Sequence, residues 1–255
     1  MMNGHWKADD YAANSKGQAV WANELIEKMA LRGDESILDI GCGDGKITDA
    51  LSHLTNGEVV GIDLSSEMIA YAQKSFSKPI FMQMDAQALN FNERFDVVFS
   101  NAALHWVKDH KAVLEGIYKA LKPNGKAILQ MGGEGNADLF FKAIKQVMPF
   151  YAVYFEGFEM PYTFLSDKAY EGLLEGMSFR LYTASLIPKD MVHADVKAFR
   201  GWIETTWFPY IQRVPAQHKE AFIEACIEAY CTLCPLDNEG RVHLGMMRLE
   251  VQLSK

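Results

Sequence analysis

The chain has 255 residues, of which 49% are hydrophobic and 23% are charged. This composition is too apolar for a disordered chain, and a mean hydropathy of −0.09 is too polar for a membrane protein. The formal net charge of −8 disfavours nucleic acid as a partner, because a polyphosphate backbone normally requires a basic surface. We therefore expect a soluble globular protein that acts on a small molecule, and no pattern indicates an obligate protein partner.

The cysteines are too few for a disulfide scaffold; they are Cys42, Cys226, Cys231 and Cys234. The N-terminus lacks the basic and then apolar segment of a signal peptide, so reduced thiols and a cytoplasmic location are expected. The last three cysteines form a zinc site only if His218 or His243 supplies a fourth ligand. Residues 221–230 instead have helical periodicity, which favours small thiols packed in a core, and no metal is predicted.

Strands and helices alternate along the first half of the chain. The predicted strands are residues 36–40, 58–64, 80–84, 95–100 and 126–131. The predicted helices begin with residues 16–31, continue between successive strands and end with residues 111–121. Such alternation with short turns is typical of a doubly wound α/β domain with a parallel sheet.

This alternation stops near residue 134. The following segment is rich in aromatic residues and contains Pro149 and Pro161, which predicts a mostly helical insertion. The expected organisation is a core over residues 1–133, cap segments over 134–177 and 195–234, and strands within 178–194 and 235–255 that return to the core sheet. The predicted fold is a mostly parallel, seven-stranded, Rossmann-like sheet with a mostly helical cap.

A glycine-rich turn follows the first strand and reads Gly41-Cys42-Gly43-Asp44-Gly45. Glycines at such a turn permit positive φ angles and let a ligand approach the backbone N–H groups of the next helix. A tight turn also uses glycine for purely structural reasons. Asp63 ends the second strand, where a carboxylate can accept hydrogen bonds from both hydroxyls of a ribose. Together the two features predict a nucleotide-like cofactor.

The cofactor pattern differs from the dinucleotide fingerprint, because Lys46 stands where the third glycine belongs. Asp39 lies two residues before the turn and suits an ammonium group, which NAD lacks. Asp85 follows the third strand and is placed to accept from an adenine amino group, and Asn101 follows the fourth strand at the same edge. Loop bracing is the structural alternative for each of these side chains. A nicotinamide oxidoreductase and a non-catalytic cofactor sensor remain open.

The motifs resemble those of the class I S-adenosylmethionine-dependent methyltransferases over about residues 11–131. The matching segments are residues 37–45, 61–65, 85–86, 95–98 and 121–125, together with Met68. The resemblance implies S-adenosylmethionine as the cofactor. It places Asp39, Gly41, Cys42 and Gly43 at the methionine part, Asp63 at the ribose, Leu64 and Met68 beside the adenine, Asp85 and Ala86 at the adenine edge, and Asn101 at the methionyl end.

A narrower resemblance concerns the acceptor. Tyr11, Asn14, Gln18 and the segments 104–107 and 200–215 are similar to carboxylic-acid O-methyltransferases of the trans-aconitate and juvenile-hormone-acid type. This resemblance implies that Gln18 and Trp106 donate N–H groups to a substrate carboxylate and that Tyr11 closes over the cofactor. The expected acceptor is then a small or medium organic acid. Packing in the core is the alternative role for Trp106.

The identity of the acceptor decides whether the reaction needs a base. A carboxylate is already ionised at pH 7 and needs none, whereas a phenol or an alcohol does. His105 lies beside the predicted crevice and is the candidate base for such a hydroxyl. Arg200 and Arg213 are candidates for further acidic groups of a polycarboxylate, with solvated helix faces as the alternative.

Overall fold

The computed structural model describes the backbone of residues 16–255 and the side chains of residues 21–255, so Tyr11 and the side chain of Gln18 lie outside the described residues. Within this part the strands form one seven-stranded sheet in the order β3-β2-β1-β4-β5-β7-β6. They are β1 (Ile37–Ile40), β2 (Val59–Asp63), β3 (Ile80–Gln83), β4 (Phe95–Asn101), β5 (Leu121–Gly132), β6 (Leu181–His193) and β7 (Val242–Ser254). The first five strands are parallel, and β7 runs antiparallel to both β5 and β6. The predicted fold class is confirmed.

The helices are α1 (Lys16–Lys28), α2 (Lys46–Leu54), α3 (Ser66–Ser75), α4 (His110–Ala120), α5 (Asp138–Val147), α6 (Asp167–Leu174), α7 (Val196–Thr206), α8 (Phe208–Ile211) and α9 (Ala216–Leu233). Short 3₁₀ turns cover Ala86–Ala88, Leu104–Trp106 and Met148–Tyr154. Several helices begin where a side chain accepts from a free backbone N–H group. The Ser65 hydroxyl caps α3 in this way, as the carboxylates of Asp109 and Asp195 cap α4 and α7.

The observed strands differ most from the predicted ones on either side of β7. The predicted turn at residues 122–125 lies within β5, because Leu121 already pairs with Phe95 before the register shifts and Lys126 pairs with Val97. The strand predicted within residues 178–194 runs from Leu181 to His193, because the long strand β7 offers it a partner at every position. Long-range pairing therefore determines these bounds.

Apolar side chains cover both faces of the sheet. One face carries α4, and the other carries α1, whose Leu25 and Met29 pack with Phe99 and Ile128. The segment 134–177, predicted as cap, also contains α6. Its Tyr170 and Leu174 are buried among the side chains that cover the α4 face, so this helix packs on the sheet.

A separate aromatic cluster joins α5 with α7, α8 and α9. The Phe140 ring lies 4.6–5.9 Å from four other rings at mostly edge-to-face angles; they belong to Phe199, Trp202, Trp207 and Tyr230. Cys226 is buried in the same cluster, and Cys231 and Cys234 pack against it. Among the side chains from residue 21 onward, no three His, Cys, Asp or Glu groups are placed to hold a metal ion. No helix in the described range is long and apolar enough to cross a bilayer.

A polar network ties the amino ends of β1, β4 and β5 together. Lys122 Nζ lies 2.7 Å from Asp96 Oδ2, and the Ser36 hydroxyl donates to the same oxygen at 2.6 Å. Partial burial alone raises the pKa of Asp96, but the hydrogen bonds from Lys122 and Ser36 outweigh it and lower the pKa to about 2. The ionised carboxylate therefore stabilises the junction of the three strands.

We expect Asp96→Asn to lower the free energy of unfolding at pH 7 by about 1–2 kcal/mol, because the ion pair is lost and is partly screened by solvent. Since the folded pKa lies below the ordinary value, the carboxylate stabilises the fold above about pH 4, and this contribution is lost as the pH falls through about 2. Urea unfolding of both proteins between pH 7 and pH 2 measures the difference. Glu115→Gln, at an exposed position of α4, is the control and is expected to have almost no effect. A difference that stays constant to pH 2 would contradict this assignment.

Candidate active site

The turn after β1 and the loop after β4 touch at the carboxyl edge of the sheet. Gly41 has a φ angle of +76°, and a Cβ atom placed on it would lie 2.1 Å from the Cβ of Ala103. Only glycine fits this approach and this backbone conformation. The N–H groups of Gly41 and Cys42 both donate to the carbonyl of Ile62, at 2.8 and 2.9 Å. The turn is thereby held between β2 and the loop that carries His105.

Asp63, at the end of β2, is oriented by two backbone N–H groups. Gly43 N donates to its Oδ2 at 3.0 Å, and Ser65 N donates to its Oδ1 at 2.8 Å. Burial raises the pKa of Asp63, although these hydrogen bonds partly oppose the rise. Gly43 has a φ angle of +54°, and apart from its chain neighbours no described atom lies within 4 Å of the place where its Cβ would stand. Gly43 therefore borders open space, and the carboxylate to which it donates retains lone pairs for hydroxyl donors.

The end of β3 lies next to Asp63, since Met84 N donates to the Asp63 carbonyl at 3.0 Å. Asp85 follows, and its Oδ1 accepts from Gln87 N at 2.9 Å at the start of the turn Ala86–Ala88. Leu64 is 67% exposed, whereas Met68, one turn into α3, is buried. A leucine so exposed next to Asp63 provides an apolar surface on which an aromatic ring can stack.

Asp39 lies in the centre of β1, behind the glycine turn, and is 2% exposed. Its Oδ2 accepts a hydrogen bond from the Thr48 hydroxyl at 2.7 Å. Burial raises the pKa of Asp39 to about 7, and the negative charge of Asp63 adds to the rise, while the Thr48 bond opposes it. A cation near this carboxylate therefore favours its ionised form. Burial and the same carboxylates also raise the pKa of the Cys42 thiol, so it is not a nucleophile here.

Asn101 and Trp106 follow β4 at the same edge. Asn101 is the last residue of that strand and is half-buried, opposite Gln130 of β5. The Trp106 ring stacks on Phe208 of α8 at a centroid distance of 5.6 Å and meets Tyr162 edge-on at 4.7 Å. The helices after β5 therefore contact the loop after β4 directly.

His105 is buried beneath this aromatic layer. Its Nδ1 accepts a hydrogen bond from Gly132 N at 3.4 Å, so the ring proton of the neutral imidazole lies on Nε2. Burial lowers the pKa of His105 to about 3, and the positive charge of Arg248 contributes to the same shift. The side chain is therefore neutral at pH 7, and its Nε2–H is a hydrogen-bond donor.

Three residues that the sequence did not single out interact with His105, namely Tyr162, Phe164 and Arg248. The two aromatic rings stack on each other at 5.4 Å, and both face the His105 ring at about 6 Å. Arg248 of β7 is 3% exposed, and its guanidinium lies 5.5 Å from the centre of the Trp21 ring. In the sequence, Arg248 alternates with apolar residues as a polar residue on a solvent-facing strand does. The pattern therefore gives no sign that this arginine is buried near His105.

The two arginines considered from the sequence have structural roles. The guanidinium of Arg200 forms ion pairs with Glu204, Glu220 and Glu224 on α7 and α9. The guanidinium of Arg213 donates to the backbone carbonyls of Tyr154 and Glu156. Both guanidinium groups therefore bind other groups of the protein itself.

The chain is similar to known proteins in sequence and in fold. A family model described as "Methyltransferase domain" matches residues 38–129. An uncharacterized methyltransferase of Schizosaccharomyces pombe is 30% identical over 216 residues, which are 80% of this chain and 81% of the relative. A trans-aconitate 2-methyltransferase of Rhizobium etli is 25% identical over 249 residues, 96% of each chain. The crystal structure of the YcgJ protein from Bacillus subtilis superposes with a TM-score of 0.65 at 20% identity and covers 93% of this chain and 98% of that one.

The chain therefore belongs to the S-adenosylmethionine-dependent methyltransferases, and its fold is the class I type. S-adenosylmethionine is its cofactor. The residues present fit this molecule, because the open side of Gly43 and the oriented carboxylate of Asp63 suit its ribose, and exposed Leu64 suits its adenine. The buried carboxylate of Asp39 suits its cationic end. We propose these contacts as the binding mode.

We expect Asp39→Asn to weaken binding of S-adenosylhomocysteine about 10–100-fold at pH 7.5, because a charge-assisted contact to its ammonium group is lost. Since the free carboxyl has a pKa of about 7, binding to the native protein must displace a proton below pH 7. The affinity of the native protein for S-adenosylhomocysteine then falls by about one decade per pH unit below 7. The difference in affinity between the native protein and Asp39→Asn becomes smaller over the same range. Calorimetry at pH 6 and 7.5 measures both dissociation constants.

The ligand's own amino group titrates identically in the two proteins, so the ratio of their dissociation constants isolates Asp39. Asp49→Asn is the control, because it removes a carboxylate of α2 that faces His53. The ratio of its dissociation constant to that of the native protein is expected to be near one at both pH values. A ratio for Asp39→Asn that is the same at both pH values would place the ammonium group elsewhere.

Proposed function

We propose that this methyltransferase O-methylates the carboxylate of a small or medium organic acid. The observation that carries the proposal is the state of His105. A neutral imidazole whose Nδ1 already accepts from Gly132 and whose pKa is about 3 donates a hydrogen bond through Nε2. It is not positioned to remove a proton. Such a site suits an acceptor that is already ionised, and a carboxylate is ionised at pH 7.

The proposed reaction depends on alignment and exclusion of water. The cofactor supplies an electrophilic methyl group on a sulfonium. Donors on Trp106 and Gln18, with His105 Nε2–H, hold the acceptor carboxylate so that one oxygen faces that methyl group. Proximity of this kind contributes on the order of 7–11 kcal/mol to rate enhancement. The oxygen attacks without losing a proton, and methyl ester and S-adenosylhomocysteine are the products.

The cap in this proposal comprises α5 and α7 to α9, with the 3₁₀ turn Met148–Tyr154. One of its contacts with the core is the stacking of Phe208 on Trp106, and closing this contact would remove water from the attacking oxygen. Trp202 and Trp207 are buried within the cap. Phe150 is 86% exposed and lies on its outside.

The trans-aconitate 2-methyltransferases support the choice of acceptor, because several of them align with this chain nearly end to end. The alternative acceptor, a phenol or an alcohol, needs His105 as a base. The hydrogen bond from Gly132 and the low pKa of the imidazole disfavour that alternative. A cofactor sensor without turnover would show no methyl transfer to any acid.

We expect His105→Gln to keep at least a tenth of the native kcat with a carboxylic acid, because the glutamine amide can donate a hydrogen bond where Nε2–H does but cannot act as a base. His105→Ala is expected to be slower than His105→Gln. A general base would instead make both variants about 10²–10⁴-fold slower. Steady-state kinetics with labelled methyl donor, on a panel of acids, phenols and amines, measures this difference.

Trp106→Phe is expected to lower kcat/KM by about one to two decades, because the indole N–H is lost while stacking on Phe208 is kept. Gln18→Ala is expected to have a similar effect. Phe208→Leu removes the stacking partner and keeps the N–H group, so it serves as the matched control for packing. If Trp106→Phe and Gln18→Ala kept the native kcat/KM and His105→Gln were inactive, the carboxylate proposal would be contradicted. The protein would then be assigned to the O-methyltransferases that act on hydroxyl groups.

A further inference from the structure

Gln87 lies in the 3₁₀ turn after β3 and connects two loops at the carboxyl edge of the sheet. Its Nε2 lies 3.3 and 3.4 Å from the two carboxylate oxygens of Asp85. Its Oε1 accepts a hydrogen bond from Asp109 N at 3.1 Å. The two partners determine the orientation of the amide, because a carboxylate requires a donor and a backbone N–H requires an acceptor. Gln87 therefore bridges the segment after β3 and the start of α4.

Asp109 ends the loop that carries His105 and Trp106. Its carboxylate accepts from Ala112 N at 3.0 Å and so caps α4. Trp106 lies only three residues before Asp109 in the chain, so the position of Asp109 restricts where Trp106 can lie. The hydrogen bond between Asp109 N and Gln87 therefore acts on the loop that is proposed to bind the acceptor.

This loop is held between two other segments of the protein. On one side, α4 packs closely on the chain after the 3₁₀ turn, since a Cβ atom placed on buried Gly116 would lie 2.9 Å from the Cβ of Leu89. On the other side, the carbonyl of His105 accepts from Thr163 N at 2.7 Å. The turn that contains Gln87 and the loop that contains His105 are thus neighbours through packing as well as through hydrogen bonds.

Asp85 is the end of the bridge where the adenine of the cofactor is proposed to bind. The carboxylate is half-buried, and its Oδ1 also accepts from Gln87 N at 2.9 Å. The two contacts with Gln87 Nε2 are longer than the common N–H···O distance of about 2.9–3.0 Å. An amino group bound to one oxygen of Asp85 fixes the carboxylate and leaves the other oxygen to the amide. The amide then has one defined partner there, which restricts the position that it offers to Asp109 N.

We propose that Gln87 is a positioning residue that links the adenine site to the acceptor site. Cofactor bound at Asp85 holds the amide of Gln87, which in turn holds Asp109. The loop with His105 and Trp106 is thereby ordered before the acceptor arrives. The inference rests on the proposed function and on the proposed binding mode, and it adds that the cofactor strengthens binding of the acceptor. By linkage, the acceptor strengthens binding of the cofactor by the same factor.

Amide hydrogen exchange resolved by residue tests the link without any acceptor, because it needs only S-adenosylhomocysteine. We expect a saturating concentration to slow exchange at Asp109 and Ala112 of the native protein by about 5–20-fold. Gln87→Met has a side chain of similar length that makes neither hydrogen bond. In this variant the ligand is expected to change both exchange rates by less than about twofold.

Gln87→Glu separates a link from simple support of the loop. The introduced carboxylate can still accept from Asp109 N, but it cannot donate to Asp85. If Gln87 only supported the loop, this variant would respond to S-adenosylhomocysteine as the native protein does. We expect instead that the ligand changes the exchange rates at Asp109 and Ala112 by less than about twofold, as in Gln87→Met.

Gln73→Met is the matched control, because it makes the same change in α3, where the amide donates to the Phe81 carbonyl at 3.0 Å. It is expected to keep the native response. Calorimetry sets the ligand concentration that saturates each protein. A native protein that does not respond at Asp109 and Ala112, or a native response in either Gln87 variant, would overturn the proposal. Each variant decides separately, so the test stands if one of them does not fold.

Kinetics with a methylated acid adds a second measurement. We expect Gln87→Met to raise the acceptor KM by about 5–20-fold and to change kcat by less than about threefold, because the link acts on binding. A purely structural loss would lower kcat and the amount of bound S-adenosylhomocysteine together. If no acid is methylated, the proposed function fails while the exchange experiment still tests Gln87. If acids are methylated and the exchange rates do not respond, the link alone fails.

Discussion

The close approach of Gly41 to Ala103 is the constraint on which the site depends. A side chain at position 41 would collide with the loop after β4 at 2.1 Å, so glycine alone lets the two loops share the carboxyl edge of the sheet. This approach places Asp39 and Asp63 on one side of the crevice and His105 with Trp106 on the other. A small displacement of either loop would separate the groups proposed to bind the methyl donor from those proposed to bind the acceptor.

Charge is divided between the two sides in the same way. The side proposed to bind the methyl donor carries the buried carboxylate of Asp39 and the half-buried carboxylate of Asp63. Desolvation raises the pKa of both groups, and the negative charge of Asp63 adds to the rise for Asp39. The opposite side, where we propose that the acceptor binds, carries the neutral imidazole of His105, and the positive charge of Arg248 acts on that ring. A cationic donor and an anionic acceptor would each meet the side of opposite charge, and their approach would bring the reacting atoms together across the crevice.

Local signals predicted the core of the fold well. Short apolar strands, a glycine turn and capped helices are determined by residues close in sequence, so the sequence predicted β1 to β4 and the position of Asp63 at the end of β2. The ends of β5 and β6 depend on pairing with β7, which lies far away in the chain, and α6 packs on the sheet through Tyr170 rather than on the predicted cap. The burial of Arg248 was not predicted for the same reason. Its alternation with apolar residues on β7 is typical of a solvent-exposed strand, and only the packing of α1 covers it.

The most direct test of the account is the chemical nature of the methylated product. Label transferred from S-adenosylmethionine to a carboxylate forms an ester, which mild alkali hydrolyses to volatile methanol, whereas a methyl ether or a methylamine survives. We expect nearly all label transferred to the preferred acceptor to be released as methanol. Label that remains in the product after alkali would contradict carboxylate methylation and the donor role of His105.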